Sequence, residues 1–192
     1  MNRAELRRLA IVSASGLALV MAITALVAVL GDGGAAGGSG GPRIGDHWHA
    51  PYAIFVAGEL QPQIQEVVTQ QGIHTHGDGI IHIHPHISIA EDSGARLEHF
   101  FGDQGGKLND REMRIPGRRE TYKNGDDLDG DGKPEVLRIL RADSGIHPLG
   151  SEFGEAVRTC NAKPESEFEE VSADYVPQDG DCIRIIFGET ES

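Results

Sequence analysis

The segment Ile80–Ala90 constrains the fold of this chain more than any other. Isoleucine stands at 81, 83, 87 and 89 and histidine at 82, 84 and 86, a period of two. Side chains of a strand alternate between its faces, so the pattern predicts a β-strand with one apolar face and one face of imidazoles. Pro85 lacks an amide hydrogen, which predicts that the strand lies at a sheet edge or is interrupted there. The apolar face needs a core to cover it. The imidazole face needs partners, because buried polar rings are hydrogen-bonded or bound to something.

Two more His-x-His groups accompany this segment, His47-Trp48-His49 and His74-Thr75-His76. Seven of the nine histidines (His47, His49, His74, His76, His82, His84 and His86) therefore fall within forty positions. Neighbouring His-x-His residues on one strand face have Cα atoms about 6.6 Å apart. Imidazole nitrogens bind Zn²⁺ at about 2.0–2.1 Å, so two such rings can lean onto one ion. His82 and His86, about 13 Å apart on a straight strand, cannot share one. A site therefore draws on His82/His84 or His84/His86 and completes itself from His47/His49 and His74/His76. The turn Gly77-Asp78-Gly79 would fold His74/His76 back beside Ile81–His84 as a hairpin. Seven histidines exceed one tetrahedral site, so either two ions bind or some rings stand behind the ligands.

Asp46 and Asp78 each adjoin a His-x-His group and are candidates to accept the second ring hydrogen of a ligating histidine. Both are also ordinary turn residues. Rival readings of the cluster are a pH-responsive group that charges together near pH 6 and a solvated or structural row. Imidazole suits Zn²⁺, Cu²⁺, Ni²⁺ and Fe²⁺. Met113 is the one methionine of the outer domain and the cysteines lie far along the chain, which argues for Zn²⁺ or Cu²⁺ over Cu(I).

Residues 9–30 carry no charge and are rich in Leu, Val, Ala and Ile. A helix needs about 20 apolar residues to cross a bilayer. Arg3, Arg7 and Arg8 precede the run and no basic residue follows until Arg43, which predicts a cytoplasmic N-terminus, residues 1–8, and an outer remainder. A cleaved signal peptide is the competing reading, but its apolar core is usually only about 7–15 residues. The expected organisation is a single-pass membrane anchor, a Gly-rich linker over 31–42 and one extracytoplasmic domain over 43–192. That domain has 28 acidic against 14 basic residues. Such a surface repels nucleic acid and favours cations.

Further strands are expected at 53–60, turning at Ala57-Gly58, at 135–142 and at 182–187, with a short helix at 95–101 and a polar loop or short helix at 162–173. The expected class is α+β with a strand majority. Cys160 and Cys182, both on the outer side, can form a disulfide in an oxidising compartment, with free thiols or metal ligation as alternatives. Asp127, Asp129, Asp131 and Glu135 surround two glycines in a candidate Ca²⁺ loop. It begins like an EF-hand, but Arg138 stands where the bidentate Glu is required, so any ion there would be structural.

Asp46-His47-Trp48-His49-Ala50, Gly72-Ile73-His74-Thr75-His76-Gly77-Asp78-Gly79 and Ile81-His82-Ile83-His84-Pro85 resemble a family of membrane-anchored bacterial and archaeal proteins of unknown function. The resemblance covers most of the outer domain, and it implies an extracytoplasmic anchor and a histidine site without implying an activity. Asp174–Gly188 resembles the last segment of β-grasp domains, where a Gly-Asp turn feeds the final strand of a mixed sheet covered by a helix. The expected function is extracytoplasmic binding of Zn or Cu, for buffering, sensing or delivery, by a protein whose partners the sequence does not identify. A metalloenzyme with metal-activated water is the alternative, with Glu59, Glu66 or Asp78 as base. A third reading is a non-catalytic interaction module stapled by its metal.

Overall fold

The computed structural model describes residues 40–66, 72–148 and 150–189. The expected membrane span at 9–30 and most of the linker lie outside the described residues. Among the described residues no helix is long and apolar enough to cross a membrane. The fold is strand-rich α+β.

Its main element is a mixed sheet. The first long strand, β1 (Trp48–Val56), turns at Ala57-Gly58 into the two-residue β2 (Glu59–Leu60). The hairpin of β3 (Ile73–His74) and β4 (Ile80–Ile83) follows, then helix α1 (Leu97–Asp103). Three short strands, β5 (Lys107–Asn109), β6 (Glu112–Arg114) and β7 (Tyr122–Lys123), form a separate antiparallel sheet. The chain then adds β8 (Val136–Asp143), helix α2 (Phe153–Ala162), β9 (Glu169–Val171) and β10 (Asp181–Gly188). The order across the main sheet is β3-β4-β1-β10-β8-β9, with β2 beside β1. The last strand pairs parallel with the first, Tyr52 opposite Ile183 and Val56 opposite Phe187, and every other pairing is antiparallel.

The two faces of this sheet are covered differently. Tyr52, Ile54, Ile81, Ile83, Ile139, Ile185 and Phe187 pack with Leu97, Phe100 and Phe101 of α1 and with Leu108 and Met113 of the small sheet in one core. Phe101 and Phe187 are fully buried there. On the opposite face, Ala142 and Cys182 pack with Cys160 of α2, and a disulfide joins Cys160 to Cys182 with Cα atoms 5.5 Å apart. In α2, Phe153, Ala156 and Cys160 recur at helical spacing, which turns one stripe of the helix towards the sheet.

The structure departs from the sequence expectations in several places. The strand expected over 80–90 ends at Ile83, two residues before Pro85, and single 3₁₀ turns follow at Ser88–Ala90 and Asp92–Ala95. It is not an edge strand, because β3 lies outside it. Helix α2 has no counterpart in the expectations, since its apolar residues are few and only Ala156 and Cys160 are buried. The polar stretch at 162–173 contains a 3₁₀ turn, Glu165–Glu167, and the sheet strand β9. The folded domain also starts slightly before residue 43, for Pro42 accepts the amide hydrogen of Asp92.

Phe187 sits on the central strand at the meeting of both sheets, with its ring 5.4 Å from that of Tyr122. Phe187→Ala should cost about 3–5 kcal/mol of unfolding free energy, read as a lowered urea midpoint with an unchanged slope. A loss below about 1 kcal/mol would show that this ring does not hold the core.

Candidate metal centre

The histidines gather because of strand register. β1 and β4 pair with His49 opposite His82, and β3 and β4 pair with His74 opposite His82. Residues that face each other across a ladder lie on one side of the sheet. His74, His82 and His49 thus form a row across three strands, on the face away from the main core. Neighbouring strands stand about 4.7–4.9 Å apart, closer than the about 6.6 Å between i and i+2 on one strand. Ring centroids in the row are 5.6 Å (His74–His82) and 5.0 Å (His82–His49) apart. One step further along, His47 and His84 form a second row with centroids 3.8 Å apart.

Among the described residues, one group of three histidines converges closely enough to hold an ion. His47, His49 and His84 each offer a ring nitrogen, all within 4.8 Å of one another. The ligand nitrogens of a tetrahedral zinc site lie about 3.3 Å apart, so modest rotation of the rings would close the triad on an ion. Nδ1 of His49 and Nε2 of His84 are buried without a hydrogen-bond partner. A buried imidazole nitrogen without a partner is costly unless something ligates it. Gly72 makes the approach of His84 possible. Its carbonyl accepts the His84 amide at 2.7 Å, and a Cβ at residue 72 would lie 2.4 Å from the His84 carbonyl oxygen.

The other expected ligands stand differently. His74 and His76 face each other with Nε2 atoms 3.3 Å apart, and Nδ1 of His76 lies 3.2 Å from Oε1 of Glu66. Nε2 of His82 lies 2.9 Å from Oδ2 of Asp78, whose Oδ1 accepts the amide of Ile80. Asp78 thus serves both the turn and a histidine. His86 is exposed, its ring 6.3 Å from that of His84, and it does not join the triad. Asp46 closes a turn by accepting the amide of Arg43, with no histidine bonded to its carboxylate. Glu59 lies exposed on β2.

Two residues that spacing did not single out, Phe153 and Asp179, border the triad, and a third, His147, contacts Asp179. The ring of Phe153, at the start of α2, stands 4.9 Å from that of His49 and 5.2 Å from that of His82, shielding both from water. Asp179 accepts the backbone amide of His49 through Oδ1 and contacts Nδ1 of His147 through Oδ2. Phe153 and Asp179 lie about 100 residues or more from His49 in sequence, where local spacing carries no signal. His147 belongs to no His-x-His group.

In the second candidate loop, carboxylate oxygens of Asp127, Asp129 and Asp131 lie within 4.8 Å of one another and are exposed. Glu135 is buried and accepts the amide of Leu128 with both oxygens. Lys133 places its ammonium 2.6 Å from Asp131 and 2.9 Å from Glu189. The loop is therefore closed by its own hydrogen bonds and by one internal cation.

Electrostatics favours neutral rings at the centre. Burial, then the charges of His47 and His74, holds His84 down to about 3. Burial, then His76 and His82, holds His74 down to about 4. Burial and then His82 also lower His49. Burial raises Asp78, but the hydrogen bonds from His82 and Ile80 outweigh it and leave this carboxyl below its usual range. A neutral imidazole is the form that binds a metal.

No protein-family model, curated protein or solved structure matches this chain.

The depressed histidines make stability depend on pH. In the unfolded chain they take a proton near 6.5, whereas in the fold His74 and His84 do so only near 4 and 3. Between these values the unfolded state binds more protons, so stability present above pH 6.5 is lost as pH falls through the window. The urea midpoint of the metal-stripped chain should fall steadily from pH 7 to pH 4.5, and His84→Asn should make that fall shallower. A midpoint that stays level across this range would contradict the assignment.

Proposed function

We propose that this chain is a membrane-anchored extracytoplasmic protein that binds a transition metal, Zn²⁺ or Cu²⁺, through His47, His49 and His84. The observation that carries this reading is the convergence of three ring nitrogens within 4.8 Å, two of the rings having a buried nitrogen with no other partner. The all-imidazole donor set favours Zn²⁺ or Cu²⁺ over Mg²⁺ or Ca²⁺. The uncharged run at 9–30, preceded by arginines, supports the anchor. The disulfide between Cys160 and Cys182 supports an oxidising, extracytoplasmic location. Buffering, sensing or delivery of the ion are the roles that need no further chemistry. The likeness to membrane-anchored proteins with the same histidine motifs belongs to this reading.

The same reading takes the main sheet as β-grasp-like. Its support is a final strand in the middle of a mixed sheet, parallel to the first and fed by the turn at Gly180-Asp181, with α1 packed on the core face. It also takes Ca²⁺ as a structural ion of the Asp127, Asp129 and Asp131 loop, supported by the convergence of the three carboxylates.

A metalloenzyme is the second reading. Three protein ligands leave a fourth position for water, and His47 is exposed, so that position can open to solvent. Of the candidate bases, Asp78 and Glu66 contact histidines of the cluster.

The test is elemental analysis of the full chain, purified in detergent with an affinity tag free of histidine. Stoichiometric Zn or Cu is expected, either as isolated or after titration. His84→Ala should weaken binding by more than the about 10–100-fold that loss of an outer partner costs. No bound metal and no uptake would sink both readings. An ion with an exchangeable water would favour the enzyme, and one closed to water would favour storage or delivery.

A further inference from the structure

The triad leaves His74 and His76 unused, and their geometry is that of a site in its own right. We propose that the imidazole face holds two ions, the second bound more weakly by His74 and His76 beside the triad. This rests on the metal-binding reading above and adds a second ion to it.

The first argument is distance. The Nε2 atoms of His74 and His76 are 3.3 Å apart. Two ligands at about 2.0–2.1 Å from a tetrahedral ion are separated by about 3.3 Å, so these two nitrogens already stand at the edge length of a zinc tetrahedron. The second argument is the proton. Nδ1 of His76 meets the Glu66 carboxylate at 3.2 Å. A carboxylate only accepts, so the ring hydrogen sits on Nδ1 and the lone pair of Nε2 accepts from Nε2–H of His74, which carries its hydrogen on Nδ1 instead when it ligates. This carboxylate–histidine contact is the outer-shell device that holds ligating histidines in the right tautomer.

The same geometry explains why the second ion is the weaker one. It has two protein ligands where the triad has three, and the remaining positions fall to water. The side chains of His76 and Glu66 are about half exposed, 47% and 54%, whereas His49 in the triad is 5% exposed. His82 stands between the two groups, its ring 4.6 Å from His76 and 5.0 Å from His49. Its Nε2 is committed to Asp78 at 2.9 Å, so through that nitrogen it separates the sites and ligates neither. The rings of His74 and His84 are 4.9 Å apart. An ion captured at the two-histidine pair thus lies next to the three-histidine triad, the arrangement of a loading site in front of a holding site.

Calorimetric titration of the metal-stripped full chain in detergent with Zn²⁺ tests this. The expected result is two ions per chain in two phases. His74→Ala/His76→Ala should abolish the weaker phase and leave the tighter one within about twofold. Glu66→Gln, on an exposed side chain that does not support the core, should weaken only the second phase, by about 10–100-fold. The far-ultraviolet circular dichroism of both variants should match that of the parent. A single ion per chain in the parent, or two phases that persist in His74→Ala/His76→Ala, would overturn the second site and leave the triad standing. No uptake at all would overturn the metal-binding reading, and this inference with it.

Discussion

The pairing of β4 with β1 is the constraint on which both the core and the site depend. Ala50 opposite Ile81 and Trp48 opposite Ile83 put the apolar side chains over α1, and the intervening pair, His49 opposite His82, faces the other way. The strand period is two, so a slip of one residue would send isoleucine to the imidazole face and histidine into the core. Burial of Ile81 and Ile83 enforces the register, and the register assembles the histidines. The energy that holds the site together is therefore hydrophobic, spent on the opposite side of the sheet.

That arrangement also accounts for how a dense group of basic rings is tolerated. Two members are tied to carboxylates, the exposed His76 to Glu66 and the buried His82 to Asp78. Burial and the neighbouring histidines favour the neutral form of His49, His74 and His84. Phe153 packs on His49, and its helix is fastened to the sheet through Cys160 and Cys182.

Several elements could be read from the chain because their cause is local. The alternation at 81–84 shows the strand, Gly77-Asp78-Gly79 shows the turn of its hairpin, and Pro85 shows where the pairing must stop. The alternating runs near 137 and 183 show β8 and β10. Helix α2 and the short strands β5, β6 and β7 were not legible. Their apolar positions are few, and they are stabilised by what they pack against rather than by their own pattern.

The composition of the candidate site divides along the same line. The sequence by itself determined that the imidazoles of a His-x-His group would share one face of a strand, since that follows from the period of an extended chain. Only the tertiary structure decided that His47, His49 and His84 converge and that His82 turns to Asp78. It also brought Glu66, Phe153 and Asp179 to the histidines. The reason is that lateral spacing between paired strands is shorter than axial spacing along one strand. The nearest imidazoles therefore include cross-strand neighbours, and which strands are neighbours depends on how the whole sheet is ordered.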